Sequence, residues 1–204
     1  ATPNDHESAL KFFETAIKIK PEYVNAHVNI ASIYSKSNLY QKAIWHLDKA
    51  LLGRPSDAMI LFNKGLNLRR LKRYSDALDC FKSARGSFPE PHLIDYEIGE
   101  TNYQFGDLKS ATAFFLMSVS ERISFNQGFV GLGKALAESG QIAKAKEAFE
   151  RAQDQDEARE RLEMLDLLTG DKDPWPFLKG AFDRMFSTSS SAFTKWDGSP
   201  TNQR

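Results

Sequence analysis

Small residues recur in this chain every 34 positions, and this spacing constrains the fold more than any other feature of the sequence. Large apolar residues and prolines keep the same interval in series of their own. The five series are Ala43, Ala77, Ala111, Ala145; Phe13, Leu47, Phe81, Phe115, Phe149; Ala16, Ala50, Ala84, Ser118, Ala152; Ala31, Gly65, Gly99, Gly133; and Pro21, Pro55, Pro89. A fixed period of this length indicates repeated supersecondary units that bury their apolar faces against each other.

Each unit is predicted to consist of two short helices. From Asn25 to Ser37, and again from Gln41 to Leu52, apolar and small residues recur at helical spacing. Only residues 38–40 separate the two stretches, so we expect the helices to be antiparallel neighbours. Small residues let the two backbones approach closely, and a proline after the second helix prevents its continuation. The sequence therefore predicts an all-α solenoid.

This pattern resembles the tetratricopeptide repeat (TPR) family over about residues 7–159. The resemblance implies a right-handed superhelix of antiparallel helix pairs that ends in a capping helix. We expect a TPR domain at 1–170, followed by an aromatic, partly disordered C-terminal tail at 171–204. Within the domain, the predicted parts are a half repeat at 7–23, full repeats at 24–57, 58–91, 92–125 and 126–159, and a capping helix at 157–169.

Composition excludes several classes of protein. The 204 residues include 27 Lys+Arg and 27 Asp+Glu, a balance that argues against nucleic-acid binding. The single cysteine, Cys80, excludes a disulfide framework and a Cys-rich zinc site, and we expect it to be an inert thiol. Apolar runs are far shorter than the roughly 20 residues that span a bilayer. The first residues carry neither an initiator Met nor an apolar signal core, which we interpret as processing or excision from a longer protein.

The sequence contains no constellation of residues that predicts catalysis. The four histidines, none of which forms an HExxH pair, are His6, His27, His46 and His92. We expect His27 and His46 to be packing or surface residues. No glycine-rich phosphate loop follows a strand. We therefore predict neither an enzyme nor a bound cofactor or metal.

The TPR resemblance implies that the first helix of each pair lines a concave groove that binds a peptide or a partner helix. The candidate groove residues combine apolar anchors with amides and charges, a composition typical of peptide sites. They are Asn25, Asn29, Phe62, Asn63, Arg69, Arg70, Tyr96, Glu97, Glu100, Tyr103 and Lys134.

We hypothesise that the three aromatic residues of this set supply anchors, while Asn29 and Asn63 hold the ligand backbone. Arg69 and Arg70 would set its polarity, and the glutamates across the groove would favour a zwitterionic partner. The carboxylate clamp of chaperone-tail TPR domains is not expected, because its basic half is missing here.

Asn29 and Asn63 partly resemble the asparagine ladder of the O-GlcNAc transferase TPR domain. In that ladder each amide presents a donor and an acceptor to the backbone of an extended peptide. Glu97 and Gly131 interrupt the ladder in the later repeats. Solvated helix asparagines are therefore the alternative interpretation of this pair.

The tail carries more large apolar residues than a chain usually leaves in water. The candidates for a docking segment are Trp175, Leu178, Phe182, Met185 and Phe186. Three positions for this segment stay open: the capping helix, the groove of the same or a neighbouring molecule, or a further domain. Residues 187–204, which are rich in serine, are predicted to be mostly disordered.

Taken together, these features predict a protein-interaction scaffold or adaptor whose partner is a protein or peptide, with no nucleic-acid binding and no membrane insertion. One alternative is the non-catalytic targeting arm of a larger enzyme, such as a glycosyltransferase or methyltransferase. Another is a scaffold that self-associates through the tail. The compartment is left open, with the cytoplasm favoured.

Overall fold

The computed structural model describes residues 3–152 and 154–170, and within these ranges every regular element is an α-helix. The helices are α1 (Pro3–Ile19), α2 (Val24–Lys36), α3 (Tyr40–Gly53), α4 (Ala58–Arg70), α5 (Tyr74–Arg85), α6 (Pro91–Phe105), α7 (Leu108–Glu121), α8 (Asn126–Glu138), α9 (Ile142–Arg151) and α10 (Asp156–Thr169). The predicted all-α class is confirmed. The five candidate docking residues of the tail, Trp175, Leu178, Phe182, Met185 and Phe186, lie outside the described residues.

The helices pack against their neighbours in chain order. The pairs are α2 with α3, α4 with α5, α6 with α7 and α8 with α9, and each pair also contacts the next one. First helices of adjacent pairs touch as well, α4 with α6 and α6 with α8. Among the described residues, 3–152 and 154–162 belong to one compact unit, and 163–170 belong to a second. Nearest-neighbour stacking of this kind within the first unit is the construction of a solenoid.

Inside each pair, the two helices meet where a small residue of the first faces a large residue of the second. Three of these contacts are Gly65 with Phe81, Gly99 with Phe115, and Gly133 with Phe149. A Cβ atom on these glycines would lie 2.6–2.8 Å from the nearest ring atom. The three rings are at most 1% exposed, so they have no room to move aside. The absence of a side chain at these positions therefore sets the separation of the helices.

The turn inside each pair repeats a left-handed residue, which the sequence analysis did not identify. Its four positive-φ residues are Asn38 (60°), Lys72 (59°), Gly106 (92°) and Gly140 (79°). In every case the next residue donates its backbone N–H to the carbonyl five positions earlier, which closes the helix end. Glycine adopts this left-handed conformation freely, whereas at Lys72 it costs about 1 kcal/mol.

Two buried histidines lie between α2 and α3. His27 Nε2 is 2.8 Å from the carbonyl oxygen of Pro21 and must donate to it, because a carbonyl oxygen only accepts. His27 Nδ1 is 2.9 Å from His46 Nδ1, so one of these two nitrogens donates to the other. Burial, with a contribution from His27, lowers the pKa of His46 to about 4. Both rings thus act as packing residues, one of the two roles expected from the sequence.

Cys80 is buried in the core of the α4–α5 pair. Burial raises the pKa of its thiol above the ordinary value. A thiol of this kind is mostly protonated and therefore a poor nucleophile at neutral pH.

A glycine-to-alanine pair of variants tests the helix contact. Gly65→Ala should lower the free energy of unfolding by about 1–2 kcal/mol, because the strain of overpacking against Phe81 exceeds the gain in helix propensity. Gly86→Ala is the matched control, since no atom lies within 4 Å of the added Cβ and its backbone has a helical φ of −68°. Urea unfolding followed by circular dichroism measures both, and an unchanged or higher stability of Gly65→Ala would contradict the close approach.

Candidate functional site

The surface formed by α2, α4, α6 and α8, called the groove below, contains two recesses. The α2–α4 recess has a volume of about 190 Å³, and its walls include Val28, Ser32, Ser35, Lys36, Asn63 and Asn67. The α6–α8 recess has a volume of about 160 Å³, and its walls include Tyr96, Glu100, Gln127, Val130, Lys134 and Glu157. Both recesses thus lie on the first helices, the side on which the sequence placed the candidate ligand-binding residues.

The predicted asparagines are in two different environments. Asn25 and Asn29 are exposed on α2, one helical turn apart and therefore on the same face. Asn63 is half-buried in the wall of the α2–α4 recess. Its backbone carbonyl accepts a hydrogen bond of 2.7 Å from Asn67 Nδ2, so its own side chain is not needed for that contact.

The aromatic candidates Phe62 and Tyr96 are half-buried and take part in packing between helices. The ring centroid of Phe62 is 4.5 Å from that of Phe88. The ring of Tyr96 lies 5.7 Å from Phe115 and 5.4 Å from Phe125, the latter at a right angle. Burial raises the pKa of Tyr96 to about 12, so its hydroxyl stays neutral and can donate a hydrogen bond.

The charged candidates Arg69, Glu97 and Glu100 contact each other. Arg69 Nη2 lies 2.5 Å from Glu97 Oε2, and Nη1 lies 3.9 Å from Glu100 Oε1. Their side chains are only 11–17% exposed, so this ion-pair group joins α4 to α6 in a largely desolvated position. Burial raises the pKa of Glu97, and Arg69 opposes this effect. The zwitterionic ligand expected from the sequence would have to compete with this internal pairing at Arg69, Glu97 and Glu100. Arg70, the next residue on α4, is exposed.

Tyr103 and Lys134 belong to a second polar group, between α6 and α8. The hydroxyl of Tyr103 donates to the Glu138 carboxylate, and burial together with this bond raises the pKa of Tyr103 to about 12. Lys134 Nζ lies 5.2 Å from the centre of the Tyr103 ring and 3.6 Å from Glu157 Oε1. Tyr103 and Lys134, which the sequence assigned to ligand binding, therefore link α6 to α8 and α8 to the first turn of α10.

Asn67 is a groove residue that the sequence analysis missed. It is 3% exposed, and its Oδ1 has no hydrogen-bond partner. Among the described residues, one other buried side-chain atom, Arg69 Nε, is in the same situation. A buried acceptor without a donor costs about 1–3 kcal/mol. The available signal was a residue series at the repeat interval, Ile33, Asn67, Thr101 and Ala135, in which the amide stands out.

Residues 3–152 and 154–170 contain neither a candidate metal site nor a candidate membrane span. Nowhere in those ranges do three or more His, Cys, Asp or Glu side chains converge in a way that could hold a metal ion. None of the described helices combines the length and the apolar character needed to cross a membrane.

Stacked antiparallel helix pairs with a recessed first-helix surface define the class of α-solenoid interaction scaffolds. Two family models described as tetratricopeptide repeat match the chain, one over residues 62–124 and the other over residues 4–23 and 127–159. These matches together cover more than half of the sequence, and the chain belongs to the tetratricopeptide repeat family. Repeats of this family generally form non-catalytic protein-interaction modules.

Two curated relatives are similar over most of this chain. Protein FlbA of Caulobacter vibrioides is 25% identical over 141 residues, which are 69% of this chain and 24% of FlbA. Human protein O-mannosyl-transferase TMTC3 is 22% identical over 163 residues, which are 72% of this chain and 18% of the transferase. The chain thus spans a quarter or less of the length of these relatives.

Solved structures show the same fold. PilW, a widely conserved type IV pilus biogenesis factor, has a TM-score of 0.76 at 22% identity and covers 92% of this chain and 89% of its own. MamA has a TM-score of 0.70 at 18% identity, with coverages of 78% and 92%. YrrB, a TPR protein with an unusual peptide-binding site, has a TM-score of 0.64 at 22% identity, with coverages of 79% and 85%. These similarities confirm the predicted TPR solenoid.

Paired variants of the two arginines test whether Arg69 is a structural residue of the groove. Arg69→Met should lower the free energy of unfolding by about 2 kcal/mol, because it leaves two largely buried carboxylates without their cation. Arg70→Met changes an exposed neighbour and should stay within about 0.5 kcal/mol of the parent. Equal urea midpoints for the two variants would contradict a stabilising role of the ion-pair group.

Proposed function

We propose that this chain is a non-catalytic scaffold that binds an extended peptide or a partner helix along the groove. The observation that carries this proposal is that both recesses open on the first helices. Three of the predicted groove residues, Asn25, Asn29 and Arg70, are also exposed on those helices. Concave sites with a few convergent polar groups are the usual form of a binding site.

The groove offers different chemistry along its length. In the α2–α4 recess the uncharged polar side chains are amides and hydroxyls, those of Asn63, Asn67, Ser32 and Ser35, and Lys36 is the charged residue. An asparagine amide both donates and accepts, so Asn29 and Asn63 suit the backbone N–H and C=O groups of a peptide. This end of the groove would therefore hold a ligand with little regard to its side chains.

The α6–α8 end of the groove would provide selectivity. Its charges are already paired internally, so a ligand group gains binding there only where it improves on the existing partners. Arg70 supplies an exposed cation near this end. A ligand would thus be oriented by its polar side chains at one end and held by its backbone at the other.

A second candidate function is that of a non-catalytic arm in a larger enzyme. One relative is named a transferase, and its match to this chain spans 18% of its length. In that case the groove would recruit a substrate or partner for a catalytic domain elsewhere in the protein. The complete reading frame distinguishes the two candidates.

Self-association through the tail is a further proposal based on the apolar residues of 171–204.

Nucleic acid and the membrane interior are not proposed as partners. The balance of 27 basic and 27 acidic residues supports this inference for nucleic acid, since phosphate binding relies on an excess of cations. No catalytic role is proposed for the chain, because its family generally serves interaction.

Peptides selected from a random library against the immobilised chain test the proposal. The double variant Asn29→Ala/Asn63→Ala should weaken a selected peptide by about 10-fold or more in Kd, because two amides that hold its backbone are removed. The truncation at Asn63 keeps the backbone carbonyl that Asn67 contacts. Isothermal titration calorimetry measures the Kd.

The matched control is Gln41→Ala, which removes an exposed amide from α3, outside the groove. It should leave the Kd of the same peptide unchanged. A peptide that binds the double variant and the parent equally well would contradict groove binding, and so would equal losses in the double variant and the control.

A further inference from the structure

The buried oxygen of Asn67 distinguishes the α2–α4 recess from the rest of the groove. Asn67 lines this recess, is 3% exposed, and directs its Nδ2 to the Asn63 carbonyl, while its Oδ1 has no donor. Buried acceptors in folded proteins nearly always have a partner. An orphaned acceptor in the wall of a recess therefore points to a hydrogen-bond donor supplied from outside the chain.

The other walls of the recess restrict the kind of donor. Val28, Ala31 and Leu47 make part of it apolar, whereas Ser32 and Ser35 contribute hydroxyl groups. Lys36 is the only charged residue among the described residues that line the recess, and none of them carries a carboxylate. A cationic donor from lysine or arginine would thus meet a like charge without a compensating anion, and a carboxylate would place its oxygens against Oδ1 of Asn67.

We propose that the α2–α4 recess binds a primary carboxamide, the side chain of a glutamine or asparagine of the ligand, through Asn67. The carboxamide N–H donates to Asn67 Oδ1, and its carbonyl accepts from a serine hydroxyl or from the Lys36 ammonium group. A carboxamide supplies both functions without a charge, whereas an aliphatic side chain supplies neither.

This inference deepens the proposed function and rests on it for the identity of the ligand as a peptide. It differs from backbone recognition by Asn29 and Asn63, since Asn67 lies at another repeat position and reads a side chain. Ser32 and Lys36 are exposed at the mouth of the recess, whereas Asn67 Oδ1 has less than 1 Å² of accessible surface, so binding requires the Asn67 side chain to turn toward the ligand. The α2–α4 end of the groove would thus prefer ligands with a glutamine or asparagine at one position, in addition to holding the ligand backbone.

The experiment uses N-acetyl-glutamine N-methylamide as the probe, titrated into the isotope-labelled chain and followed by NMR. The side-chain amide resonances of Asn67 should shift and saturate with a Kd on the order of 1 mM, as expected for a ligand of this size. The matching glutamate, lysine and leucine compounds contain the same backbone amides. They should shift those resonances by less than about a tenth as much at the same concentration.

Two variants remove the acceptor, Asn67→Leu and Asn67→Ala, and both should abolish the saturable shifts of neighbouring backbone amides. The matched control is Asn102→Leu, because Asn102 is 6% exposed and also donates its Nδ2 to a carbonyl four positions earlier, but lies outside the recess. It should keep the shifts. Circular dichroism confirms that each variant is folded.

Glutamine-probe shifts that persist in both Asn67 variants would overturn the proposal, and so would equal shifts with the leucine compound. The absence of any saturable shift would also overturn it, because water alone would then satisfy Asn67 Oδ1. Failure of the proposed function gives a different result. If selected peptides depend on Asn29 and Asn63 but not on Asn67, only the carboxamide site is wrong. If the probe binds but no peptide uses the groove, the peptide scaffold is wrong.

Discussion

The contact between a small residue on each first helix and a large apolar residue on the following helix is the constraint on which the structure depends. At Gly65, Gly99 and Gly133 the ring of a buried phenylalanine occupies the space where a Cβ would lie. This contact fixes the separation of each pair, and an isolated pair cannot bury its apolar faces alone. Stacking then follows, and with it the continuous first-helix surface on which the groove forms.

Some groove residues hold adjacent helices together, and others are exposed to solvent. The repeat position of a residue does not show which of the two roles it has. Arg69 pairs with both Glu97 and Glu100 between α4 and α6, and these contacts join adjacent first helices. Asn29 and Arg70, in contrast, are exposed on the first helices. The proposed ligand surface is therefore a mixture of side chains that shape the groove and exposed side chains that could contact a partner.

The periodic part of the fold could be predicted from the sequence, because the helix contacts repeat every 34 residues and leave small and large residues in register. The site could be predicted less well. Asn67 and the Arg69 ion-pair group occur once each, so a search for recurring residues passes over them. The left-handed turn residue was missed for another reason: Asn38 and Lys72 stand where later repeats have glycine, which hides the common backbone conformation.

Hydrogen–deuterium exchange of the chain with and without a selected peptide shows whether the groove is the binding surface, because it reports which helices the ligand covers. If the peptide binds in the groove, exchange slows in α2 (Val24–Lys36) and α4 (Ala58–Arg70) and does not change on the exposed side of α3 and α5. Slower exchange confined to α3 and α5 would contradict the assignment of the groove as the binding surface.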